Sequence, residues 1–181
     1  MKLIKSLLGT ALTVALLLGA IWGAYRLFPL KFIDEIRLYS DEMGVDRHLT
    51  ASLIKAESNF NENAVSGADA KGVMQLTDET AAFCASKLGI TINDGDIYNP
   101  DINIRLGVYY LKRMLDIFGG DESLAVAAYN AGEGRVAQWL ADPSVSTDGA
   151  TLESIPYKET ERHVKKINVY KKIYKLLYPN L

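Results

Sequence analysis

The sequence predicts an all-α domain that follows one apolar N-terminal helix. Apolar residues recur at helical spacing in several segments, and residues typical of helix starts and glycines typical of helix ends flank those segments. No segment alternates apolar and polar residues in the manner of a half-buried strand. With 49% hydrophobic residues the chain can build a real core. We therefore expect a segment over residues 1–30 and one domain over residues 31–181.

The N-terminal segment has the composition of a membrane anchor. Lys2 and Lys5 precede an uncharged run over residues 6–24. A helix of that length extends about 28 Å, close to the roughly 30 Å of a bilayer core. No small-residue cleavage site follows the run, so the sequence favours an uncleaved signal anchor over a cleaved signal peptide or a buried core helix.

The orientation of this segment is less well determined by charge. Arg26, Lys31 and Arg37 follow the run and balance the two lysines that precede it. The signal-like layout favours a domain outside the cytoplasm, and a cytoplasmic domain is the alternative.

Helix boundaries in the domain follow from end signals. Gly132 and Gly134 are expected to break the chain, and residues 141–155 to form a polar loop. The expected helices run from Ile33 to Met43, from Asp46 to Ser58, from Thr77 or Asp78 to Gly89, from Asn99 to Gly119, from Asp121 to Asn130 and from Tyr157 to Tyr178.

Composition excludes several classes of function. The net charge is −2, and all 22 acidic residues lie beyond residue 30, which argues against a nucleic-acid binder. The one cysteine, Cys84, stands among small apolar residues and is expected to be a buried hydrophobe. No spacing of His, Cys or acidic residues indicates a metal site, and no cofactor is implied.

Glu57 is the candidate catalytic residue. It follows Leu49 and Leu53 at intervals of four, so it shares the apolar face of its helix. It also lies at the negative, C-terminal end of that helix, and both placements should raise its pKa. A protonated carboxyl group beside a cleft is what glycosidic cleavage requires. The alternative is an edge residue whose carboxyl group turns to water.

Other polar residues strengthen the functional interpretation, although each also has an ordinary explanation. Gln75 follows a glycine-containing loop, and Tyr129 and Asn130 stand together at a helix end. Glu159 lies in the first turn of the last helix, where a carboxylate is favoured. Amides and phenols of this kind can bind sugars.

Taken in order, these segments resemble the soluble lytic transglycosylase (goose-lysozyme-like) family over roughly residues 45–170. The residues that carry the resemblance are Glu57 to Asn61 (ESNFN), Ala64 to Ser66, Ala70 to Leu76 (AKGVMQL), Asn99-Pro100, Asn103 to Gly107 (NIRLG), Ala127 to Gly132 (AAYNAG), Gly134 to Val136 and Pro156 to Thr160 (PYKET).

The resemblance implies a lysozyme-like α-fold with a groove for peptidoglycan glycan strands. By matched position Glu57 would be the catalytic acid/base, and Ser66 and Gln75 would line the groove. Tyr129 and Asn130 would orient the sugar or Glu57, and Glu159 would support the site.

Four departures from the family pattern are visible. Thr77-Asp78 stands where the family has Met-Pro, which should make one wall of the groove more polar. Glu133 replaces a proline, with no expected effect. Glu161 and His163 replace an arginine and a tyrosine, and we expect them to alter the surroundings of Glu159 and the pH profile.

The resemblance implies a lyase that cleaves the β-1,4 bond between N-acetylmuramic acid and N-acetylglucosamine to give 1,6-anhydro ends, with Glu57 as its sole acid/base. A hydrolase on the same substrate is the close alternative, and Glu62, Asp69 or Asp78 could supply its second carboxylate. An inactive wall-binding module is a third possibility. The expected partners are glycan strands and, through the N-terminal segment, the membrane.

Overall fold

The described residues form an all-helical structure. The computed structural model describes the backbone of residues 2–181 and the side chains of residues 9–181, so the side chains of Lys2 and Lys5 lie outside the described part. Its α-helices are α1 Lys2–Leu27, α2 Ile33–Met43, α3 Arg47–Glu57, α4 Asp78–Leu88, α5 Pro100–Ile117, α6 Glu122–Ala131, α7 Glu133–Leu140 and α8 Lys158–Leu177, with one 3-10 turn at Asp96–Tyr98. Across this range β-structure is limited to two isolated bridges, Val65 with Lys71 and Lys71 with Leu76.

Side-chain caps fix the starts of four helices within a residue or two of the expected positions. Each capping oxygen accepts a hydrogen bond from a backbone N–H of the first turn, which would otherwise lack a partner. The capping residues are Asp46 for α3, Thr77 for α4, Asn99 for α5 and Asp121 for α6. Gly44 and Gly89 end α2 and α4 in the left-handed conformation, as their sequence positions predicted.

Helix α7 is a correction to the sequence prediction, which broke the chain at Gly132 and Gly134. Gly132, with φ 92° and ψ 140°, makes a direct turn from α6 into α7. Gly134 lies inside α7 instead of ending it. The helix buries Val136 and Trp139 against the core, and that burial outweighs the roughly 1 kcal/mol cost of a helical glycine.

Helices α5 and α8 organise the core. Helix α5 packs against α2, α4 and α6, whereas α8 packs against α3 and α6. A smaller apolar cluster lies under α4 and includes Cys84, which is fully buried. Burial raises the pKa of the Cys84 thiol to about 12, so this residue is the small hydrophobe that its neighbours in the sequence predicted.

The far end of α1 and the segment that follows it are bound to α8. The Tyr25 hydroxyl donates to the Leu177 carbonyl at 3.0 Å. The Tyr174 hydroxyl donates to the Pro29 carbonyl and the Tyr178 hydroxyl to the Phe28 carbonyl, both at 2.7 Å. The side chains of residues 9–22 in α1 are exposed, and Gly9–Leu27 is long and apolar enough to cross a membrane.

These tyrosine hydroxyl groups should protect residues 28–32 from proteolysis. In the full chain in detergent, we expect Tyr174→Phe combined with Tyr178→Phe to speed trypsin cleavage after the exposed Lys31 about tenfold. Each lost hydrogen bond lowers the free energy of local opening by about 0.5–1.5 kcal/mol, and the loss of two accounts for a roughly tenfold higher cleavage rate. Tyr170→Phe is the matched control, because its ring packs on Phe28 and its hydroxyl makes no hydrogen bond within the described residues. Equal cleavage rates in all three proteins would contradict this account of the joint.

Candidate active site

A cavity of about 530 Å³ lies where the end of α3, the loop over residues 64–76, the end of α6 and the start of α8 meet. Every site residue named from the sequence lines this cavity: Glu57, Ser66, Gln75, Tyr129, Asn130 and Glu159. Thr77, Thr80 and Tyr110 line it as well. Thr77 accordingly lies on the wall where a more polar surface was expected, whereas Tyr110 and Thr80 were not predicted from the sequence.

Glu57 ends a helix whose apolar face leads into the core. Leu49 and Leu53 are buried on that face, and the Glu57 side chain is 15% exposed at the cavity. Ser58 caps the helix, and its hydroxyl group is 3.2 Å from the Ile54 carbonyl and 2.7 Å from the Val73 carbonyl. The last turn of α3 is therefore attached to the loop that forms the opposite wall.

The buried amide of Asn103, on α5, holds that loop. Its oxygen accepts from the Met74 N–H at 2.8 Å. Its nitrogen donates to the Ile97 carbonyl at 2.7 Å and to the Lys71 carbonyl at 3.1 Å. One side chain thus serves three backbone groups, of which the Lys71 carbonyl also accepts from the Leu76 N–H at 3.0 Å.

Two glycines permit this close packing. Gly72 has φ +77°, and a Cβ there would lie 2.3 Å from the Asn103 amide nitrogen and 2.6 Å from the Ile97 carbonyl oxygen. At Gly107 a Cβ would lie 2.4 Å from the Met74 sulfur. The glycines of the AKGVMQL and NIRLG segments are thus required where the loop and α5 touch.

The side chains of Gln75 and Ser66 make hydrogen bonds to backbone groups of the loop that carries them. Gln75 has φ +50°, and its amide nitrogen donates to the Gly72 carbonyl at 2.9 Å and to the Ala64 carbonyl at 3.1 Å. The Ser66 hydroxyl oxygen accepts from the backbone N–H groups of Ala68 and Ala70. The Gln75 amide oxygen and the Ser66 hydroxyl hydrogen are the groups left for a ligand.

Tyr129 and Asn130 connect α6 to the other two walls. The Tyr129 hydroxyl donates to the Met74 carbonyl at 2.8 Å, and its ring meets Tyr110 edge-on at 5.2 Å. Burial, followed by the nearby Glu57 carboxylate, raises the pKa of Tyr129 well above its usual value, so the phenol keeps its proton. The Asn130 side-chain oxygen accepts from the Thr160 hydroxyl at 2.8 Å.

Helix α8 brings two ionisable side chains to the site. Glu159 is exposed in its first turn and lines both the main cavity and a smaller adjoining one. One turn later, the His163 ring nitrogen Nε2 lies 3.2 Å from Oε1 of Glu57. From the sequence, His163 was expected only to alter the surroundings of Glu159 and the pH profile, and its contact with Glu57 was not predicted. Its spacing of four from Glu159 was the signal that could have placed it at the site.

The other acidic candidates lie elsewhere. Glu62, Asp69 and Asp78 are exposed, and none of them lines the cavity around Glu57. Asp69 and Asp78 instead pair with the Lys71 ammonium group at 3.3 and 2.6 Å. Among residues 9–181 no group of three or more His, Cys, Asp or Glu side chains is placed to hold a metal ion.

Comparison with known proteins identifies a family. The Transglycosylase SLT domain family matches residues 34–148, more than half of the chain. The soluble lytic murein transglycosylase of Escherichia coli is 31% identical over 165 residues, 89% of this chain. This chain spans 26% of that relative, about a quarter of its length.

Solved structures give the same result. An inactive Glu-to-Gln mutant of the lytic transglycosylase Slt from Pseudomonas aeruginosa is 36% identical, with a TM-score of 0.75 over 82% of this chain and 24% of that one. The 70 kDa soluble lytic transglycosylase from Escherichia coli is 29% identical, with a TM-score of 0.77 over 87% of this chain and 26% of that one.

The close approach at Gly72 should make this position intolerant of a side chain. We expect Gly72→Ala to lower the free energy of unfolding by about 2–4 kcal/mol, because the left-handed backbone and the contacts with Asn103 and Ile97 both resist a Cβ. Gly67→Ala, in the same loop, is the control. A Cβ there meets nothing within 4 Å, so its effect should stay within about 0.5 kcal/mol. Denaturant unfolding followed by circular dichroism measures both, and equal stabilities would contradict the assigned contact.

Proposed function

The chain belongs to the Transglycosylase SLT domain family, and we propose that it is a peptidoglycan lytic transglycosylase in which Glu57 is the sole acid/base. The observation that carries this proposal is the position of Glu57. Its carboxyl group is mostly buried at the end of α3 and opens into a polar cavity of about 530 Å³. The relatives of similar fold are named as lytic transglycosylases acting on murein.

The proposed reaction uses the Glu57 carboxyl group twice, first as an acid and then as a base. Glu57 donates its proton to the β-1,4 oxygen between N-acetylmuramic acid and N-acetylglucosamine, and the bond from that oxygen to the muramyl C1 breaks. The acetamido group of the substrate stabilises the positive charge that develops at C1. The 6-hydroxyl then attacks C1 and returns its proton to Glu57, which leaves a 1,6-anhydro end. A single carboxylate suffices because the nucleophile belongs to the substrate.

The positions of Glu62, Asp69 and Asp78 give no support to the alternative of hydrolysis. A two-carboxylate hydrolase needs its second carboxylate across the same cavity. Glu62, Asp69 and Asp78 lie outside that cavity, which leaves Glu159 as the acidic residue that shares it with Glu57. Gln75, Tyr129 and Asn130 offer the polar and aromatic surface that a sugar requires. In this proposal Ser66, Gln75, Tyr129, Asn130 and Glu159 bind or orient the substrate.

We further propose that residues 1–30 are an uncleaved signal anchor that holds the domain over residues 31–181 outside the cytoplasm. The exposed apolar surface of α1 supports this, since its Gly9–Leu27 segment is not covered by the rest of the protein. Trp22 and Tyr25 stand near the end of α1, and the Arg26 guanidinium lies 5.3 Å from the centre of the Trp22 ring. Aromatic and basic residues of this kind are typical of a membrane interface.

Digestion of purified peptidoglycan by the detergent-solubilised full chain should release anhydro-muropeptides, which mass spectrometry distinguishes by the loss of one water. Glu57→Gln keeps the size of the side chain but removes the acid, so the rate should fall about 10²–10⁴-fold. Glu62→Gln, in an exposed loop outside the cavity, is the matched control and should leave the rate unchanged.

Each alternative function predicts a different result in this assay. Reducing-end muropeptides would indicate a hydrolase and direct attention to Glu159. Unaltered activity in Glu57→Gln would disprove the assignment of Glu57. Binding of peptidoglycan without any product would favour a wall-binding module.

The anchor proposal predicts that the protein stays in the membrane fraction after alkaline carbonate extraction, with its N-terminal segment present in the intact mass. Protease added to spheroplasts should digest the domain from outside, because the proposed orientation exposes it there. An N-terminus that begins within residues 21–25 would indicate cleavage. Digestion only after lysis would indicate a cytoplasmic domain.

A further inference from the structure

The contact between Glu57 and His163 links the end of α3 to the first half of α8. Nε2 of His163 lies 3.2 Å from Oε1 of Glu57, and the two side chains are 10% and 15% exposed. We propose that His163 is a positioning residue that shares one proton with Glu57 and thereby sets the upper pH limit of the reaction. This inference rests on the proposed role of Glu57 as the acid.

The surroundings of His163 leave Glu57 as its partner. Atom Nε2 is buried and makes no well-aligned hydrogen bond within the described residues. Oε1 of Glu57 is nevertheless within hydrogen-bonding distance of this nitrogen, and hydrogen bonds at catalytic groups are often poorly aligned before a substrate binds. The buried Nε2 atom needs a hydrogen-bond partner, and the Glu57 carboxyl group can donate to it or accept from it.

The other ionisable groups near the pair either make hydrogen bonds to other groups or are exposed to solvent. Lys166 donates to the Ala56 carbonyl at 3.1 Å, and the Tyr129 phenol keeps its proton. Glu159 and Arg162 are exposed at the adjoining cavity, whereas Lys55 binds the Asn59 side chain. Among the described residues, the titratable groups that share the cavity with Glu57 are Tyr110, Tyr129 and Glu159, and Arg162 and Lys166 line the smaller cavity with His163.

A shared proton has a defined consequence for the pH profile. With one proton on the pair, either Glu57 is neutral and donates to Nε2, or Glu57 is ionised and accepts from the imidazolium. The reaction needs the first form and stops when the pair loses its proton. Because His163 adds a second atom that can hold this proton, the pair retains it to a higher pH than Glu57 alone would. The form with an ionised Glu57 takes population from the reactive form with a neutral Glu57. The maximum rate is therefore lower than it would be without His163.

The side chain at position 163 is therefore a determinant of working pH. The resemblance described from the sequence has a tyrosine at this position, and a tyrosine offers no nitrogen to take the proton. Relative to its own maximum rate, a chain with His163 should keep its activity further into the alkaline range than the same chain with a neutral residue there. The absolute rate does not rise, because a proton on His163 is not on Glu57.

The test is the pH dependence of anhydro-muropeptide release by the full chain at limiting substrate. His163→Gln should move the alkaline midpoint down by about one pH unit, so that the rate above it drops about tenfold relative to its maximum. His163→Tyr should move it in the same direction. His48→Gln is the matched control, because the His48 ring contacts the Tyr178 carbonyl at 3.0 Å, at the other end of α3, and should leave the profile unchanged.

A profile of His163→Gln and His163→Tyr that superimposes on that of the wild type would overturn the proposal, whatever the overall rate. A second readout does not depend on activity: the His163 ring signal in NMR should titrate differently in Glu57→Gln. An identical titration would show that the two groups are not coupled. If the wild type yields no anhydro products, the proposed function fails, and the NMR titration still decides whether the pair shares a proton.

Discussion

The buried side chain of Asn103 is the contact on which the candidate site depends. One amide satisfies backbone groups of Lys71, Met74 and Ile97, and so fixes the loop that forms one wall of the cavity. Its position is possible because Gly72 and Gly107 leave room for the loop to touch α5. The Tyr129 hydroxyl and the Ser58 hydroxyl then bind the carbonyl groups of Met74 and Val73, which joins α6 and the end of α3 to the same loop. Displacing the loop would move three walls of the cavity together.

The helices could largely be predicted because their ends are encoded locally. An acceptor such as Asp46 or Asn99 serves N–H groups two or three residues away, and Gly44 ends α2 through its own backbone conformation. Helix α7 was missed because a local rule about Gly134 was outweighed by burial of Val136 and Trp139, which depends on the rest of the fold.

In the candidate site too, some features follow from the local sequence and others depend on the rest of the fold. Six of the residues that line the cavity could be named from their order in the chain, but Tyr110, Thr80 and the hydrogen bonds of Gln75 and Tyr129 could not. Both side chains prove to hold the loop as well as to face the cavity. The contact between Glu57 and His163 joins residues far apart in sequence, and it follows from the packing of α3 on α8. Periodicity reports which face of a helix is buried, but it does not report which helix it meets.

Helix α8 connects the candidate site to the N-terminal segment through side-chain contacts near its two ends. His163 touches Glu57 near one end, and Tyr174 holds the Pro29 carbonyl near the other. At about 1.5 Å per residue these two side chains are only about 16 Å apart along the helix axis. Under the proposed anchoring through α1, this short spacing would hold the cavity close to the membrane surface, so the glycan that the proposed activity reaches would be the glycan nearest the bilayer.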